Sequence, residues 1–249
     1  ENFMSINLKI NLLKKQLAEA EEKRYNPTRI ANEIALDLID VYLKAGLLDD
    51  AGLLFEKYRH CFDLINHLKA IEIAAELSDR KGEWQESLEY YLKSLEINKH
   101  MGNTVGIAHV LNNIGTIYLK RNEGKKALEY FLESQAQKEA LGDKAGLAST
   151  LNNIGIIYFN RDQWDKALEY YLKSKDLYEE TGDTVGTAIT LNNMGEIYAK
   201  KGDWTQALRE YDKSREIFEN SGDLTKVAIL FYNMAHIYFE KGERDKAFD

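Results

Sequence analysis

The side chains in this sequence that could do chemistry are asparagines that recur in pairs at a fixed spacing. They are Asn112 with Asn113, Asn152 with Asn153, Asn192 with Asn193 and, after the same interval, Asn233 behind Tyr232. A primary amide carries both a hydrogen-bond donor and an acceptor, which is the pair needed to bind a peptide group of an extended chain. The asparagines therefore predict recognition of a main chain rather than a bond-making reaction.

These asparagines fall in segments whose pattern is helical, where each is about 0.6 kcal/mol less favourable than alanine. Some interaction should offset that cost. One interpretation is contact with a ligand, which we favour for the second asparagine of each pair. The other is that the amides bond to the adjacent helix, or that duplication of one ancestral repeat retained them.

Other residues share this helical face because they follow the second asparagine by three and by seven positions. Their variety would suit a groove that reads side chains. The candidate partner-binding residues are Asn112, Asn113, Asn152, Asn153, Asn192, Asn193, Asn233, Lys120, Asn160, Lys200, Glu196 and His236.

Composition argues against several other functions. The chain has 249 residues and a net charge of −8, so nucleic acid is not an expected partner, since phosphate binding needs basic surface. No apolar run reaches the roughly 18 residues that cross a bilayer. One cysteine, Cys61, suits a reducing compartment, and we expect a cytoplasmic location.

No motif for enzymatic chemistry is present. The sequence holds no glycine-rich phosphate loop, nucleophile elbow or catalytic carboxylate pair. His60, Cys61 and His67 lie close in sequence but lack a further ligand at metal-site spacing. We therefore predict no enzyme activity, no catalytic residue, no cofactor and no metal.

The elements that must position the asparagines repeat with them. Related segments begin at Leu111, Leu151, Leu191 and Phe231, which gives a constant interval of 40 residues. A period of this size is typical of a stacked-repeat solenoid. Gly-Asp and Gly-Asn turns predict where helices end and begin. The first helices are predicted at 104–120, 144–160, 184–200 and 224–240, and the second helices near 84–100, 124–141, 164–181 and 204–221.

Within each repeat, small residues alternate with aromatic ones at fixed positions. Glycine recurs in the middle of the first helix, at 115, 155 and 195, although it is about 1 kcal/mol less favourable there than alanine. Its recurrence predicts that the paired helices approach closely at these positions. The aromatics Phe131, Tyr171 and Tyr211 follow in the second helix. We expect them to fill the remaining space.

This pattern of apolar, glycine, tyrosine, alanine and aromatic positions resembles the tetratricopeptide repeat over residues 27–249. The 40-residue interval, longer than the family's usual 34, resembles the long-helix arrays of kinesin light chains, LGN/Pins scaffolds and bacterial Rap-type regulators. The resemblance implies an all-α fold, a right-handed superhelix of about six helical hairpins. In such arrays, asparagines at this place line the concave face and hold peptide backbone.

Two further expectations concern the ends and the function. Residues 1–24 form an amphipathic helix that is either a cap or the second helix of a preceding repeat, and the array is truncated within its last repeat. The leading function is a scaffold that binds a protein or peptide segment. The alternative is a regulatory or sensor domain of a larger bacterial or archaeal signalling enzyme or transcription regulator. Self-association through uncapped ends is a further possible interaction.

Overall fold

The computed structural model describes residues 3–22, 27–58 and 68–243. All regular secondary structure in these ranges is α-helical, which confirms the predicted fold class. The helices are α1 (Phe3–Glu22), α2 (Pro27–Lys44), α3 (Leu48–Tyr58), α4 (Leu68–Arg80), α5 (Trp84–Met101), α6 (Thr104–Lys120), α7 (Gly124–Leu141), α8 (Lys144–Phe159), α9 (Trp164–Thr181), α10 (Thr184–Lys200), α11 (Trp204–Ser221) and α12 (Leu224–Glu240). The eight helices predicted from α5 to α12 are confirmed, with ends that differ by at most one residue.

The chain forms two compact units, Glu1–Gly106 and Ile107–Asp249. In the first unit, α1 packs against α2, and α2 against both α3 and α4. Ile10 and Leu17 of α1 are buried in this unit's core, so the apolar stripe predicted for this helix is covered. In the second unit, α8 packs against α7, α9 and α10, while α10 also packs against α9 and α11. Successive first helices are therefore neighbours.

Helix ends in the second unit follow the Gly-Asp pattern. Gly142, Gly182 and Gly222 are left-handed, with φ between 67° and 76°, and each ends a second helix. The aspartate after each glycine caps the next helix, as when Asp143 Oδ1 accepts a hydrogen bond from the Gly146 amide at 2.9 Å. Glycine is suited to the left-handed position because it has no Cβ, and the cap satisfies an amide that lacks a partner in its own helix.

The repeated glycine is where an aromatic ring of the paired helix closes the hairpin. A Cβ atom on Gly155 would lie 2.4 Å from Cε1 of Tyr171, and Gly195 has the same relation to Tyr211 at 2.6 Å. Tyr171 is almost fully buried. The predicted close approach is present, and its cause is a ring of the second helix packed over the glycine backbone.

A row of buried serines, which the repeat pattern did not predict, joins the two helices of three hairpins by hydrogen bonds. Ser134, Ser174 and Ser214 are fully buried on second helices. Their hydroxyls donate to the carbonyl oxygens of Ala108, Ala148 and Ala188, respectively, at 2.7 to 2.8 Å. The buried hydroxyls are thereby satisfied, which avoids the penalty of an unpaired polar group.

Lys138 of α7 is a charged residue at a position that is uncharged in the neighbouring repeats. The corresponding residues are Asn98, Tyr178 and Phe218. Lys138 is 4% exposed, and its ammonium donates to Gly146 O at 3.0 Å and Thr150 Oγ1 at 2.9 Å. Burial lowers the pKa of Lys138 to about 8, although the nearby charge of Asp143 opposes the shift.

We predict that Gly155→Ala lowers the free energy of unfolding by about 1–3 kcal/mol, because the new methyl group overlaps the Tyr171 ring. The loss should appear although alanine is the better helix former. Gly124→Ala is the matched control, because its Cβ would meet its nearest side-chain atoms at 3.9 Å. Urea denaturation followed by circular dichroism measures both variants. Equal midpoints for Gly155→Ala and the parent would contradict the ring contact.

The second prediction concerns the pH dependence of stability. Between pH 8 and 10.5 the unfolded lysine still binds a proton that folded Lys138 has lost, so this residue makes stability rise with pH in that window. The free energy of unfolding of the parent, measured relative to that of Lys138→Met, should rise by about 2 kcal/mol between pH 7 and 9.5. Both proteins contain the same buried tyrosines, so the difference between their unfolding free energies does not include the titration of those residues. A constant difference would show that Lys138 is not desolvated.

Candidate functional site

The asparagine pairs form a hydrogen-bonded row across successive first helices. The second asparagine of one repeat donates from its Nδ2 to Oδ1 of the first asparagine in the preceding repeat. The three bonds are Asn153 to Asn112 at 3.5 Å, Asn193 to Asn152 at 3.0 Å and Asn233 to Asn192 at 3.2 Å. The donor in each bond follows the acceptor by 41 residues, so the row repeats with the array.

The first asparagine of each pair is held on several sides. Asn152 is 8% exposed, and its Oδ1 also lies 3.4 Å from the hydroxyl of Thr190. Thr150 Oγ1 donates to Asn112 Oδ1 in the same way at 3.1 Å. These contacts match the interpretation in which amides bond to the adjacent helix. They explain how the array accommodates asparagine inside a helix.

The second asparagine of each pair has an acceptor left over. Within the described ranges, the Oδ1 atoms of Asn153, Asn193 and Asn233 receive no hydrogen bond, and they are not among the buried atoms that lack a partner, so they reach solvent. All three residues are half-buried. The bond from Nδ2 restricts the orientation of each amide.

Of the remaining candidates, three lie at helix ends and three lie within the first helices. Lys120 and Lys200 are the last residues of α6 and α10, and Asn160 caps the C-terminus of α8; all three are exposed. Asn113 is half-buried on α6. His236 is exposed on α12, and Glu196 is half-buried on α10.

An open cavity of about 530 Å³ brings four of these candidates together: Glu196, Lys200, Asn233 and His236. The sequence pattern did not predict that aromatic residues of three helices meet around this cavity: Phe159, Trp204, Tyr211 and Tyr232. The signal that could have found the cavity is Ala199, because the same position holds Leu119, Phe159 and Phe239 in other repeats.

Glu196 gives this cavity its main electrostatic feature. Burial raises the pKa of its carboxyl group, and the hydrogen bond from Asn192 and the charge of Lys200 offset only part of that effect. Asn192 Nδ2 lies 3.3 Å from Glu196 Oε1. The asparagine row thus continues from Asn233 through Asn192 to a carboxylate at the cavity.

Over residues 3–22, 27–58 and 68–243, no group of three or more His, Cys, Asp or Glu side chains could hold a metal ion. His60, Cys61 and His67 lie outside the described residues. No helix in the described part of the chain is long and apolar enough to cross a membrane.

Comparison with solved structures shows the same fold in proteins of low sequence identity. A Rap protein complexed with competence and sporulation factor matches with a TM-score of 0.76 and 12% identity, over 98% of this chain and 74% of that one. NprR in complex with its cognate peptide NprX matches with a TM-score of 0.70 and 20% identity, over 98% of this chain and 74% of NprR. A signal transduction ATPase with a tetratricopeptide repeat sensor from Pyrococcus horikoshii matches with a TM-score of 0.73 and 22% identity, over 97% of this chain and 39% of that one.

Comparison by sequence identifies the family. A search of curated proteins finds no significant match. The family model described as "Tetratricopeptide repeat" matches four overlapping stretches, residues 72–140, 106–180, 146–220 and 186–249, which together cover well over half of the chain. The repeated helical hairpins, the glycine and aromatic positions and this match agree, and the chain belongs to the tetratricopeptide repeat family.

Proposed function

We propose that the chain binds an extended segment of a protein partner along its first helices and catalyses no reaction. The observation that carries the proposal is the row of solvent-accessible carbonyl oxygens on Asn153, Asn193 and Asn233. The Nδ2 group of each of these amides donates to an asparagine of the preceding repeat, which orients the carbonyl oxygen. A carbonyl oxygen in this setting can accept a hydrogen bond from a peptide N–H. Asn113, Lys120 and Asn160 extend the proposed surface, which we expect to be concave.

The spacing of the row suits an extended main chain. Packed helix axes lie about 8 to 10 Å apart, and an extended peptide advances about 3.3 Å per residue. Successive asparagines would therefore meet peptide groups two to three residues apart. Binding of this kind orders no new element of the protein, because the amides are already oriented, and preorganisation of this kind favours affinity.

The solved structures support a protein or peptide partner by analogy. Two of the solved structures with this fold are complexes, a Rap protein with competence and sporulation factor and NprR with its cognate peptide NprX. We propose a cytoplasmic protein on the basis of its cysteine usage, and we propose neither nucleic acid nor a membrane as partner. Association of two copies through the array ends stays a prediction.

The experiment selects binders from a displayed library of random peptides of about twelve residues and measures their affinity by fluorescence anisotropy. The double variant Asn153→Ala with Asn193→Ala should bind the selected peptides roughly 5- to 150-fold more weakly, since each amide contact contributes about 0.5–1.5 kcal/mol. Helicity should persist because alanine favours helix. A pull-down with the parent and the double variant, followed by mass spectrometry, then seeks the natural partner.

Asn220→Ala is the matched control, because Asn220 is an exposed asparagine on a second helix, outside the row. It should bind as the parent does. Failure to select any peptide, or selected peptides that bind the double variant as tightly as the parent, would refute the proposed function.

A second candidate is a sensor domain whose packing changes when it binds its ligand. The observation that favours it is the shared fold with a protein described as having a tetratricopeptide repeat sensor. In that case, a selected peptide should change the radius of gyration measured by small-angle scattering. An unchanged scattering profile at saturating peptide would favour the scaffold instead.

A further inference from the structure

Two departures from the repeat pattern fall on one turn of α10, and both border the 530 Å³ cavity. Ala199 stands where other repeats have Leu119, Phe159 or Phe239, so bulk is missing. Glu196 stands where the other three repeats of the 40-residue series have Thr116, Ile156 and His236, so a carboxylate is added relative to them. Space and charge thus appear together, in a volume within the range of about 300–1,000 Å³ that ligand sites occupy.

The walls of the cavity suit a long side chain with a cationic end. Phe159, Trp204, Tyr211 and Tyr232 supply aromatic surface. Aromatic faces attract an ammonium or guanidinium group and also cover the methylene stem that carries it. An uncharged apolar side chain could use the same rings, but it would leave the carboxylate of Glu196 unpaired.

The charges around the cavity favour a cation. Its ionisable groups include two carboxylates, Glu196 and Glu240, against one ammonium, Lys200, and His236 is also at its border. Within the described part of the chain, Glu196 has one hydrogen bond, from Asn192, and forms no ion pair with Lys200. A half-buried carboxylate in this state gains most from a second, charged donor.

We propose that this cavity holds a lysine or arginine side chain of the bound segment, with the cationic group on Glu196 and the stem along the aromatic rings. The inference rests on the proposed function, because Asn233 of the asparagine row borders the cavity and would hold the main chain beside it. Specificity then comes from the repeat that combines the small residue Ala199 with the carboxylate of Glu196.

The test uses the peptides selected from the displayed library. We expect them to share one lysine or arginine, and replacing it with norleucine should weaken binding to the parent protein at least about tenfold. With Glu196→Gln, which keeps the shape of the side chain, the same replacement should change affinity by less than about twofold. Ala199→Phe should weaken the binding of the basic peptides at least about tenfold by filling the cavity.

Controls separate this inference from the proposed function. Glu169→Gln changes an exposed carboxylate on α9 and should leave affinity and the norleucine effect unchanged. Circular dichroism checks folding, and Glu196→Gln carries the test if Ala199→Phe does not fold. Selected peptides without a shared basic residue, or an equal norleucine effect in parent and Glu196→Gln, would overturn the inference. If those peptides still lose affinity for the double asparagine variant, the proposed function stands; if they do not, both fail.

Discussion

The contact on which each hairpin of the second unit depends is an aromatic ring packed over a glycine. Tyr171 over Gly155 and Tyr211 over Gly195 set the distance between the paired helices, since no side chain separates the ring from the backbone. Once that distance is fixed, the buried serine beside it reaches a carbonyl of the opposite helix. The asparagines of the first helix are then brought to bonding distance of the preceding repeat.

The hydrogen bonds between and within hairpins have different roles. Ser174 to Ala148 joins the two helices of one hairpin, whereas Asn193 to Asn152 joins two hairpins. Neutral bonds of this kind contribute about 1 kcal/mol each, less than the burial of the aromatic residues. Their main effect is on register: a shift of one helix along its neighbour would leave several buried polar groups unpaired at once.

Much of the fold could be predicted because its information is local and repeated. The Gly-Asp turns set helix ends to within one residue, and the glycine positions predicted the close contacts. The serine row escaped notice because serine is common in helices and its burial depends on a neighbour 26 residues away. The cavity was not predicted because it depends on the small side chain of Ala199 and on side chains that four helices bring together. For the asparagines, the sequence was compatible both with ligand contact and with bonds to the adjacent helix. In the structure, the Nδ2 group of the second asparagine bonds to the preceding repeat.

The asparagine row also has a direction. Every bond in it runs from Nδ2 of a later repeat to Oδ1 of an earlier one, so none of the three bonds opposes the others. A row of aligned amide dipoles is not equivalent to its own reverse. A main chain laid along it presents its N–H and C=O groups in a different order when it runs from N to C than when it runs from C to N. In the proposed binding mode, the array would therefore offer unequal contacts to the two polarities of a bound strand, and a retro-sequence peptide with the same side chains would be a different ligand.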